Sequence, residues 1–167
     1  RSGGCGRVSC IDWPRYPSPV VCQTPMPEPR RWRRRSVLSS NTPAAHARLM
    51  RRGRLDPDLR GMGTTVTCVR NLGRMLQIAH VGDSRAYLLR QGHLVRITRD
   101  QTVAQQLADS GLISEALVGS HHTRHLLTQS VGGGDVEVEV HRVPLQHGDR
   151  LVLSTDGLTD GVEDSEI

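Results

Sequence analysis

From residue 61 onward, apolar and polar positions alternate with two different periods. Residues 64–69 (TTVTCV) are rich in β-branched side chains and residues 75–81 (MLQIAHV) are mainly apolar. Asn71-Leu72-Gly73 lies between them. That order predicts two strands joined by a hairpin loop. Residues 85–89 and 94–97 form a second apolar pair, joined across Gln91-Gly92. Val136, Val138 and Val140 alternate with Glu137, Glu139 and His141, the period of a half-buried strand. Leu151-Val152-Leu153 is a continuous apolar strand, entered from the turn Gln146-His147-Gly148-Asp149.

The helical period is rarer. Val103, Ala104, Leu107 and Ala108 share one face of a helix that Asp100 would cap and Gly111 would stop. Residues 43–55 (PAAHARLMRRGRL) suit a short helix, with Pro43 in its first turn and Gly53 at its end. Ser114-Glu115 can open another short helix. Residues 118–134, rich in Gly, His and Ser, are expected to form a mobile loop region. About six antiparallel-type strands with helices inserted between them predict an α+β layer arrangement.

Composition divides the chain. Residues 1–60 hold 13 Arg and four acids, residues 61–167 nine Arg and 13 acids, and there is no Lys. A basic arm therefore precedes an acidic domain. Six of the nine prolines fall in residues 1–40, a density that breaks helix and strand alike. The expectation is a disordered or out-of-frame arm over residues 1–42 and a folded domain over 43–167. The run RRWRRR ends in Arg33, Arg34 and Arg35, candidate nucleic-acid contacts, with Trp32 free to stack. A solvated tail is the favoured reading of that run.

The domain's core must be aliphatic, because the chain has no Phe. No apolar run approaches the roughly 18 residues of a membrane span, and no apolar leader segment is visible. A cytoplasmic protein with no membrane partner is expected. The four cysteines are too unevenly placed for a disulfide framework, and Cys68 reads as a small core residue.

Two aspartates share a setting. Asp83 follows the strand residues Ile78–Val81 and Asp156 follows Leu151–Ser154, with Gly82 and Gly157 beside them. Either one alone also fits a turn former or helix cap. If the strand ends are neighbours, the carboxylates converge, and converging carboxylates call for a proton or a cation between them. Hard cations such as Mg²⁺ and Mn²⁺ suit such oxygens. His121, His122 and His125 are weaker metal candidates, read first as solvated loop residues.

Five segments then bear on identity: GMGTT (61–65), AHVGDSRAYLL (79–89), TRDQTVAQQL (98–107), LLTQSVGG (126–133) and GDRLVLSTDGLTD (148–160). In this order and spacing the chain resembles the bacterial metal-dependent protein phosphatases of type 2C, from about Asp56 to Ile167. The resemblance implies a four-layer α-β-β-α sandwich of two antiparallel sheets flanked by helices, incomplete at both ends. It also implies hydrolysis of phosphoserine and phosphothreonine in proteins by water activated at Mn²⁺ or Mg²⁺. On the same grounds Asp156 is a metal ligand, Asp83 serves an accessory metal, Gly157 and Gly82 adjoin them, and residues 100–128 form a flap beside the site. The chain departs from the family pattern in places. Residues 1–55 contain no Asp-Gly-x-Gly-Gly motif, their only acids being Asp12 and Glu28, and no Asp-Asn motif follows the TDG. Gln129 stands where the family has Arg, and His121-His122 where it has His-Pro. The alternative is a phosphatase-like module without turnover, and the weaker one an Arg-rich nucleic-acid binder.

Overall fold

The computed structural model describes residues 9–12, 37–162, 164, 166 and 167. Seven strands and three α-helices follow in the order β1 (Ser9–Asp12), α1 (Val37–Leu55), β2 (Val66–Asn71), β3 (Met75–Val81), β4 (Arg85–Arg90), β5 (His93–Arg96), α2 (Val103–Asp109), β6 (Glu139–Pro144), β7 (Arg150–Ser154) and α3 (Asp156–Thr159). Short 3₁₀ segments occupy Pro57–Leu59 and Glu115–Ser120. All pairings are antiparallel, in one sheet of order β1-β7-β4-β5 and another of order β2-β3-β6. The α+β arrangement of two antiparallel sheets flanked by helices is thus the observed one.

The burial pattern follows the topology. β3 is the central strand of its sheet, and every residue from Leu76 to Val81 is buried. β6 lies at the edge of the same sheet, and its burial alternates residue by residue. Leu76, Ile78, Val81, Ala86, Tyr87, Ala104, Val131 and Leu151 form an aliphatic core with a single aromatic ring. Cys68 is half-buried. His80 is fully buried, and burial holds its pKa below the ordinary histidine value. Its neutral ring donates from Nε2 to the Arg99 carbonyl (3.1 Å) and meets the Thr67 hydroxyl at Nδ1 (2.9 Å). No described helix is long and apolar enough to cross a membrane.

Several expectations shift. Asp100 does not cap α2. Thr102 does, accepting from the Gln105 N–H at 3.2 Å. The last strand before the closing turn is Glu139–Pro144 rather than 136–141. Its partner β3 ends where the chain turns at Gly82, and His80 pairs with Glu139, so residues 136–138 have no strand to pair with. α1 begins at Val37, which leaves Pro43 inside the helix. Four residues of the supposed arm, Ser9–Asp12, form β1 on the free edge of β7. Arg33, Arg34 and Arg35 lie outside the described residues.

One ion pair in this frame carries a pH prediction. Asp149 has a side chain only 1% exposed. It accepts from Arg90 Nε and Nη2 (both 2.8 Å) and from the Gln146 N–H (2.7 Å). Burial works to raise its pKa, but the Arg90 and Gln146 hydrogen bonds and the Arg90 charge together outweigh it and hold the carboxyl below 3.8. A depressed carboxyl stabilises the fold above its unfolded pKa, and that contribution disappears as pH falls through the folded value. Asp149→Asn is therefore expected to flatten the acid limb of the stability curve. The difference between about pH 7 and about pH 3 should shrink by up to about 1 kcal/mol in urea titrations.

Candidate active site

The strand register brings the two aspartates together. Arg85 at the start of β4 pairs with Ser154 at the end of β7. Asp83 lies two residues before the first and Asp156 two residues after the second, so both emerge at the same end of the sheet. Gly82 makes the bend between β3 and Asp83. Its φ is +108°, and a Cβ there would run into the Thr65 side chain. The Gly82 N–H donates to the Gln101 side-chain oxygen at 2.7 Å, and the Gln101 N–H returns a bond to the Gly82 carbonyl at 2.8 Å. This reciprocal pair ties the Asp83 turn to the segment entering α2. Gly82→Ala combines a left-handed backbone with a steric clash and is expected to cost about 2–4 kcal/mol. Urea denaturation of the variant measures it.

A cleft of about 90 Å³ opens at this end, lined by Asp83, Asp100, Arg124, His125, Asp156 and Asp160 among others. It adjoins a groove of about 470 Å³ that shares Asp83, His125 and Asp156 and adds Thr64, Ser130 and Thr155. Asp83 is half-buried and Asp156 exposed. The Asp83 pKa is raised, first by burial and then by the negative charges of Asp156 and Asp100. A cation placed between such carboxylates relieves both burial and repulsion. Gly157 is exposed as the second residue of α3.

The cleft wall includes a charged network that the sequence pattern did not reveal. Asp100 accepts from Arg85 Nη2 at 2.7 Å and from its Nε at 3.1 Å, and lies 2.9 Å from Arg96 Nη2. Arg85 also donates to Asp164 (2.9 Å), as does the Tyr87 hydroxyl (2.8 Å). Asp164 follows α3, so the network fastens the segment beyond Asp156 to β4. Asp160 was missed as well, although its signal was visible. It follows Asp156 by four residues, and its N–H donates to the Asp156 carbonyl at 2.8 Å, one helical turn. The three loop histidines separate. The His121 and His122 rings stack with centroids 4.4 Å apart, while His125 faces α3.

The family model described as "Protein phosphatase 2C" matches residues 27–166. The chain belongs to the protein phosphatase 2C family. Among curated relatives, the serine/threonine protein phosphatase PstP of Mycobacterium tuberculosis is 43% identical over 113 residues, 68% of this chain and 22% of that protein. A putative protein phosphatase 2C-type of Streptococcus pyogenes is 39% identical over 111 residues, 66% of this chain and 45% of that protein. The crystal structure of M. tuberculosis PstP superposes with a TM-score of 0.72 at 39% identity, over 77% of this chain and 55% of that one. A second PstP structure, its catalytic domain in complex with two manganese ions, gives a TM-score of 0.65 at 36% identity, over 78% of this chain and 55% of that one. This phosphatase 2C chain thus spans less than half the length of those two curated relatives. The family match begins at residue 27, inside the segment expected to be the arm. All five family segments meet at the cleft and groove, through Gly63 and Thr64, Asp83, Asp100, Ser130, and Asp156.

Proposed function

We propose that this chain supplies the active-site cleft of a metal-dependent protein serine/threonine phosphatase acting on phosphoserine and phosphothreonine in cytoplasmic proteins. The observation that carries this reading is the convergence of Asp83 and Asp156 on one cleft, with the Asp83 pKa raised by burial and by its acidic neighbours. Carboxylate donors of this kind suit Mn²⁺ or Mg²⁺, and a solved PstP catalytic domain is in complex with two manganese ions. In this reading Asp156 is the principal ligand and Asp83 an accessory one. Bound there, such a cation supplies a water acidic enough to attack phosphorus near neutral pH.

The chain's own residues do the rest. The Gly82–Gln101 bonds orient Asp83. Arg124 lines the cleft and offers a positive charge to an anionic phosphoester. The Arg85–Asp100–Arg96 network holds the floor on which both aspartates stand. The test is hydrolysis of p-nitrophenyl phosphate and of a phosphothreonine peptide by the full chain, with Mn²⁺ and with a chelator. Phosphate release that requires Mn²⁺ is expected, and absence of turnover sinks the enzyme reading. A phosphatase-like module without turnover is the second reading. It is favoured by residues 1–55, whose only acids are Asp12 and Glu28, neither followed by glycine.

A further inference from the structure

Resting on the reading of Asp156 as a metal ligand, we infer that His125 adds a nitrogen donor to that centre. His125, Asp156 and Asp160 then form a three-ligand site for a borderline transition metal such as Zn²⁺ or Co²⁺. One ligand atom from each of these three residues lies within 4.8 Å of the others. The donors come from two parts of the chain, the loop before Leu126 and the turn of α3, so the grouping is a product of the fold. All three face the cleft that Asp83 also lines.

The geometry needs little adjustment. Tetrahedral zinc ligands bound at about 2.0–2.1 Å lie about 3.4 Å from one another. His125 Nε2 is 3.9 Å from Asp160 Oδ1, and the two side chains are 46% and 45% exposed, so rotation of either closes the gap. Among the described residues no side-chain hydrogen bond engages the Asp160 carboxylate. Its nearest cation, Arg124 Nε, is 4.0 Å away. Asp156 and Asp160 lie four residues apart on one turn, and each offers a carboxylate oxygen to the same cluster. An imidazole raises affinity for cobalt and zinc far more than for manganese or magnesium, because the order of divalent affinity steepens with nitrogen donors. His125 therefore widens the preference for borderline metals beyond what an all-oxygen centre gives.

Binding to the full chain tests this without reference to turnover. Co²⁺ is followed by its visible d–d absorption, Zn²⁺ by competition against Co²⁺, and Mn²⁺ by electron paramagnetic resonance. His125→Ala is expected to weaken Co²⁺ and Zn²⁺ at least about 10-fold, since even outer-shell changes cost about 10–100-fold. It should alter Mn²⁺ binding by no more than about 3-fold. Asp160→Asn should weaken Co²⁺ in the same way. Both side chains are exposed, and a thermal melt checks that each variant folds. If the wild-type chain binds Mn²⁺ but His125→Ala takes up Co²⁺ with unchanged affinity and spectrum, the inference is overturned while the reading of Asp156 stands. If the wild-type chain binds no Mn²⁺, Co²⁺ or Zn²⁺, both fall together.

Discussion

Asp156→Asn is expected to remove Mn²⁺-dependent phosphate release, with kcat/KM falling about 100-fold or more. Asparagine keeps the shape and the start of α3 but supplies no negative charge, and affinity for a hard cation follows the number and charge of its oxygen ligands. Loss of groups that only orient ligands costs about 10–100-fold, so loss of a ligand should exceed that. The side chain is exposed at the cleft and packs into no core, so the melting temperature should change little. Steady-state kinetics with p-nitrophenyl phosphate over a range of Mn²⁺ concentrations measures the effect. Retention of wild-type turnover by a folded variant would remove Asp156 from the site.

A large effect on stability is expected at Asp100. Its side chain is 8% exposed and receives Arg85, itself 17% exposed, together with Arg96. Asp100→Ala leaves the Arg85 guanidinium desolvated, with the half-exposed Asp164 as its remaining carboxylate. Removing one member of a buried pair costs more than the pair contributes, because the other charge stays out of water. A loss of about 3 kcal/mol is expected, read from urea denaturation followed by circular dichroism. Asp100→Asn, which can still accept hydrogen bonds, should cost less. A change below about 1 kcal/mol in the alanine variant would show that the network is open to solvent and contributes little.

These two aspartates differ in how legible they were. Asp156 stands directly after a continuous apolar strand and before glycine, and Asp83 repeats the setting on β3, so local pattern alone marked both. Asp100 stood before a helical stretch with a capping residue's composition, yet the structure gives the cap to Thr102. Only the position of Arg85 and Arg96 decided between them, since a carboxylate that two arginines can reach is drawn away from a cap. Asp160 was visible as the fourth residue after Asp156, but without α3 in place its separation carried no direction. His121 and His125 had helical spacing too. The chain there is turn and loop, so the spacing united nothing, and His125 found its partners across the cleft.

Alternation and turn residues by themselves determined the strands β2 to β5 and β7, the amphipathic face of α2 and the candidate aspartates, because each depends on neighbours within a few positions. The order of the five segments determined the family. The tertiary structure decided what depends on distant partners. The end of β3 moved β6 to Glu139–Pro144, the free edge of β7 took in Ser9–Asp12, and the pairing of Arg85 with Ser154 brought Asp83 to Asp156. Register and ion pairing depend on where other segments of the chain fold, and no local period encodes them.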